Sequence, residues 1–74
     1  MRLSQLPLIY NIDQVRIYQN NKKICEQWIG AHPLYWYLIE DTNFNHLLDC
    51  KIESMGIVIE GCLSKIVVCE IYLK

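Results

Sequence analysis

KIESMGIVIEGCLSKIVVCEIYLK, residues 51 to 74, is the stretch whose reading decides the fold. Ile52, Met55, Ile57, Val58 and Ile59 precede the loop Glu60-Gly61-Cys62-Leu63-Ser64-Lys65, and Ile66, Val67, Val68, Cys69, Ile71, Tyr72 and Leu73 follow it. β-Branched and aromatic residues at this density, broken once by a Gly/Ser turn, have the composition of a half-buried antiparallel hairpin. A second hairpin is written upstream. Gln14-Val15-Arg16-Ile17-Tyr18-Gln19 alternates, with Val15 and Ile17 on one face and Arg16 and Tyr18 on the other. Asn20-Asn21 tolerate positive φ and suit a tight turn, and Lys23 to Ile29 forms the return strand, ended by Gly30.

Between the hairpins the pattern is mixed. Pro33 suits the first turn of a helix, whereas Leu34-Tyr35-Trp36-Tyr37-Leu38-Ile39 is a continuous apolar run that periodicity alone assigns to neither helix nor strand. Asp41 to Phe44 is rich in turn formers, and Asn45 to Asp49 reads as a linker or a single helical turn. At the front, Ser4 could cap a helix, but Pro7 limits Leu3 to Ile9 to a short turn or arm. The expected fold is α+β and mainly β: two antiparallel hairpins forming a four-stranded antiparallel sheet or half-barrel, with a short helical or aromatic insert. Residues 1–74 have room for one domain only, without internal repeat or low-complexity tract.

Composition narrows the function. The chain has 53% hydrophobic residues and carries two Trp, five Tyr and one Phe. A core of this size supplies roughly 3–5 kcal/mol of net stability, and so much aromatic surface is hard to hide at once. A partner or a homodimer, the latter paired through exposed strand edges, is therefore expected. Seven basic and eight acidic side chains give a net charge of −1, with Lys22-Lys23 the only basic cluster, so direct nucleic-acid binding is not expected. A signal-peptide pattern and the ~20-residue apolar run of a membrane span are both absent from the sequence, which points to a cytoplasmic protein without membrane contact. In that compartment Cys25, Cys50, Cys62 and Cys69 are expected to be free thiols.

Three constellations could carry chemistry. Cys25, His32, His46, Cys50, Cys62 and Cys69 lack the short paired spacing of structural zinc sites, so no metal and no other cofactor is expected. A nucleophile and base, with Cys25 or Cys50 beside His46 or His32 and oriented by Asp49 or Asp41, has no strained elbow or Gly-rich oxyanion loop to support it. The three glycines do not form a phosphate-cradling loop either. The chain reads as a non-enzyme. The third constellation is the aromatic block, Trp28 with Tyr35, Trp36 and Tyr37, whose side chains join large apolar area to a polar tip as interface anchors do. These four are the candidate partner-binding residues. The block should divide between core and surface, and if Tyr35 and Tyr37 are exposed, Trp36 should face inward. Were the whole block core, the interface would lie on the polar faces around Arg16, Glu26, Lys51 and Glu53.

The Leu3-Ser4-Gln5-Leu6 arm, the strand Val15-Arg16-Ile17-Tyr18, the return strand ending in Gly30, and Leu47-Leu48-Asp49-Cys50-Lys51-Ile52-Glu53-Ser54-Met55 before a final Ile/Val strand resemble small β-rich proteins of phages and mobile elements of low-GC Gram-positive bacteria. The aromatic insert, Leu34 to Phe44, departs from the shorter connection of that pattern. The resemblance implies no catalytic residues. It implies a binding module directed at a host protein, in the manner of anti-CRISPR inhibitors of defence nucleases. The alternatives are a protein that sequesters a small ligand such as a nucleotide signal, and a small metal or thiol regulator.

Overall fold

A computed structural model describes all residues, Met1–Lys74. Strands β1 (Gln14–Gln19) and β2 (Lys22–Trp28) form the first hairpin. Its turn is Asn20-Asn21, with φ of 55° and 61°, left-handed values that asparagine reaches more readily than most residues and that match the twist of the flanking strands. The pairing shifts between Ile17 and Tyr18, so that Ile17 faces Cys25 while Tyr18 faces Lys23. Ile24 is the extra residue of a β-bulge, and the strict alternation expected along this strand breaks there. Strands β3 (Ile52–Glu60) and β4 (Ile66–Leu73) form the second hairpin. Gly61, at φ 98°, opens its loop in a conformation where a Cβ would collide with the Ser64 carbonyl oxygen.

The two hairpins join in the order β2-β1-β4-β3, and β1 and β4 run parallel, with Ile17 beside Ile71 and Val15 beside Cys69. The sheet is thus mixed, which corrects the all-antiparallel expectation. It is also open, which corrects the half-barrel. β2 and β3, the strands that would have to meet to close it, stand at opposite edges. The physical reason lies between them. A connection from one edge to the other must cross the sheet, and Ile29 to Lys51 does so over one face, where it becomes the covering layer.

That segment contains α1 (Leu34–Leu38) and a 3-10 turn over Asn45–Asp49, and the N-terminal 3-10 turn, Leu3–Gln5, completes the layer. The apolar run that could have been helix or strand is helical, with Pro33 at its N-cap. Leu3, Leu6, Leu34, Leu38 and Leu47 pack from the layer onto Val15, Ile17, Cys25, Cys69, Ile71 and Leu73 of the sheet to make one core cluster. Asp13 sits where three strands converge. Its N–H donates to the Val67 carbonyl, its carbonyl accepts from the Ile29 N–H, and its carboxylate accepts from the Val67 N–H at 2.8 Å. No helix is long and apolar enough to cross a membrane.

Candidate functional site

α1 is one and a half turns long, and its helical period assigns its side chains. Leu34 and Leu38, four apart, point into the core at 3% and 0% exposure. Tyr35, Trp36 and Ile39 fall on the other side and keep 41%, 52% and 55% of their surface exposed. Strand-like alternation would have set Trp36 against Tyr35 and Tyr37. The 3.6-residue period instead leaves Tyr35 and Trp36 out together and gives the core position to leucines.

The ledge is held from beneath. Tyr37 is half-buried, and its hydroxyl accepts the Gly30 N–H at 2.6 Å, which ties the end of α1 to the segment leaving β2. A Cβ at residue 30 would come within 3.1 Å of that hydroxyl, so glycine gives the contact its room. His32 stacks on Trp36 with ring centroids 4.0 Å apart and an interplanar angle of 14°, and Tyr37 meets Trp36 edge-on at 5.1 Å. A shallow depression between Trp36, Tyr37, Ile39 and Glu40 completes the surface. His32 and Ile39 join this surface without belonging to the aromatic block that the sequence marks for binding. The signal for His32 is its place four before Trp36 across Pro33, which acquires meaning only once the segment is helical.

Trp28 is apart from this group. It pairs with Gln14, whose side chain belongs with Arg16 on the uncovered face of the sheet. The sequence-derived set of four thus separates into Tyr35, Trp36 and Tyr37 on one side of the sheet and Trp28, 57% exposed, on the other.

The uncovered face has its own organisation. Arg16 donates from Nη1 and Nη2 to the two carboxylate oxygens of Glu60 at 2.6 and 2.7 Å, and from Nε to Gln14 at 2.8 Å and Glu26 at 3.2 Å. The fork starts on β1 and ends on β3, and so passes over β4. Its hydrogen bonds hold the Glu60 carboxyl below the usual carboxylate range and the Arg16 guanidinium further above its ordinary value. Tyr18 and Tyr72 stack at 4.9 Å, and the Tyr18 hydroxyl donates to Glu70 at 2.8 Å, which raises the phenol's pKa. Next to this pair an open hollow of about 250 Å³ is bordered by Asn20, Asn21, Glu53, Ser54 and Lys74. Among the polar residues, Arg16 and Glu26 share this face, Arg16 binding both Glu26 and Glu60, whereas Lys51 and Glu53 lie just before and within the start of β3.

The cysteines do not gather. Cys25 and Cys69 are buried in the core, Cys50 is half-buried and Cys62 is exposed in the β3–β4 loop. Burial pushes the Cys25 and Cys69 thiols up, which disfavours the nucleophilic thiolate. No three His, Cys, Asp or Glu side chains converge on a common point. Under the covering layer, the cleft between Leu6, Ile9, Ile12, Ile29 and Leu34 measures only about 10 Å³, room for at most one water. Compared with family models, curated proteins and solved structures, the chain matches none.

Proposed function

We propose that this protein is a non-enzymatic binding module whose α1 ledge anchors a partner protein. The observation that supports the reading is the joint exposure of Tyr35, Trp36 and Ile39 on a helix whose other side is fixed in the core by Leu34 and Leu38. An anchor held in place before binding loses little conformational freedom on contact, so more of its buried area appears as affinity. Tyr and Trp are also the residues most enriched among energetically dominant contacts. The Gly30–Tyr37 hydrogen bond and the His32–Trp36 stack serve the same end by holding the ring of Trp36 in place.

The resemblance to phage and mobile-element proteins makes a protein of the bacterial host the expected partner, with a defence nuclease, in the anti-CRISPR manner, as its finer form. Affinity capture from extracts of a low-GC Gram-positive host tests this. Wild-type bait is compared with Tyr35→Ala and Trp36→Ala, each checked by circular dichroism and thermal melting. A specific partner should be retained by wild type and weakened by about 1–3 kcal/mol in each variant, with little change in melting temperature. A partner retained equally by all three baits removes α1 from the interface.

A further inference from the structure

The two edges of the sheet differ in how they are protected. β2 carries Lys22, Lys23 and Glu26, and its pairing with β1 is bulged at Ile24, both familiar devices for discouraging further strands. β3 has neither a proline nor a lysine along its nine residues, and its register shift is confined to its first three. Met55, Ile57 and Ile59 lie opposite Ile71, Cys69 and Val67, which puts them on the covered face. The layer stops short of them, and they stay 45%, 57% and 63% exposed. The N-terminal arm guards only the beginning of this edge. Arg2 bridges Lys51 and the Met1 carbonyl accepts the Ile52 N–H, so the bare stretch begins after residue 52.

We infer that the β3 edge is an interface for a second copy of this chain, with Ile57 on the two-fold axis and the two sheets joined into one of eight strands. Antiparallel pairing about Ile57 places Met55 opposite Ile59 of the other copy and Ile57 opposite itself. All six apolar side chains then form one cluster on the covered face. On the uncovered face Gly56 meets Val58, and Ser54 meets Glu60, whose carboxylate is already held by Arg16. Glu53 falls opposite Gly61, so no like charges confront one another. Centring the pair one residue earlier would set Glu53 against Ile59, and a half-residue shift is barred because it would set covered-face residues against uncovered-face ones. The three exposed side chains and the strand backbone together bury on the order of 800–1,000 Å² over both copies, the size of a weak, reversible association rather than an obligate one. The surface is distinct from the α1 ledge, and either can fail without the other.

Sedimentation equilibrium from about 10 to 500 μM tests the association, since a dimer of this size should populate across that range. The wild type is expected to show a rising dimer fraction, Ile57→Lys to remain monomeric with an unchanged circular dichroism spectrum, and Trp36→Ala to dimerise like wild type. Register is read in a Cys62→Ser background under mild oxidation. Directly opposite strand residues have Cα atoms about 4.5–5.5 Å apart, within reach of a disulfide. Ile57→Cys should therefore cross-link to itself. Met55→Cys should do so only when mixed with Ile59→Cys. A monomer throughout the range, a dimer that survives Ile57→Lys but is lost in Trp36→Ala, or equal self-cross-linking at all three positions would each overturn the assignment.

Discussion

The two faces of the sheet solve the same problem by different means. On the covered face, side chains are hidden by other parts of the backbone: Ile17, Ile71 and Leu38 are all 0% exposed because α1 and the 3-10 turns lie against the strands. Above the uncovered face there is no further layer, yet Val68 is 0% and Gln14 4% exposed. There the side chains cover one another. Gln14, Val68 and Val58 share one cross-strand row, and the Arg16–Glu60 fork passes over it, while Tyr18 and Tyr72 stack along the same strands. Hydrophobic shelter on one side depends on shape, and on the other on an ion pair and its geometry. Acid and charge-removing substitutions should therefore act on one face and leave the other indifferent.

The largest effect is expected on the covered face. Leu38→Ala removes a fully buried side chain that the layer cannot easily refill, and should cost about 2–5 kcal/mol of unfolding free energy by denaturant titration. A loss under 1 kcal/mol would mean that the layer is only loosely docked. On the uncovered face Arg16→Met keeps the stem that shields Val68 but removes the fork, and should lower the thermal midpoint by less than Leu38→Ala does. Its signature is pH. Glu60 has a folded-state pKa below its unfolded value of 4.5, so the fork's contribution is complete above that value and disappears as pH falls through the lower, folded value. Wild type should lose more stability than Arg16→Met on acidification from pH 5 downward, and parallel acid curves would show that the fork contributes nothing. The smallest effect is expected for Tyr18→Phe, which keeps the stack on Tyr72 and loses the bond to Glu70. About 0.5–1.5 kcal/mol is expected, measured by thermal melts at neutral pH.

Both hairpins could be read from local residues. Asn20-Asn21 announces its turn, and the runs on either side of Gly61 announce theirs. How the hairpins meet could not be read in the same way, because pairing between β1 and β4 is decided by no neighbouring residue. It follows from where the crossing segment travels, and Ile29 to Lys51 carries no local mark of its route. The candidate site was legible as a composition but not as an arrangement. Tyr35, Trp36 and Tyr37 were visible as anchors, but the division of labour among them depends on a helical period that a run of six apolar residues conceals. Trp28 is close to them in sequence only, since the alternation of β2 sends it to the opposite face. The exposed stripe on β3 was hidden for a related reason. Met55, Ile57 and Ile59 have the pattern of a core strand, and only the limited reach of the covering layer leaves them out.

Pairing β1 with β4 also sets the order in which the molecule can assemble. Each hairpin closes over a short loop, an event of roughly 1–10 μs, and could form as soon as its own residues are present. The contact between Ile17 and Ile71 instead links positions 54 apart in the chain (71 minus 17), and the core that α1 fills has no floor until that contact exists. During synthesis the first hairpin would emerge with the inner edge of β1 bare and would keep it bare while the crossing segment and β3 are made. Folding should accordingly be limited by the meeting of two preformed halves, and substitutions along the β1–β4 seam should slow refolding more than substitutions within either turn.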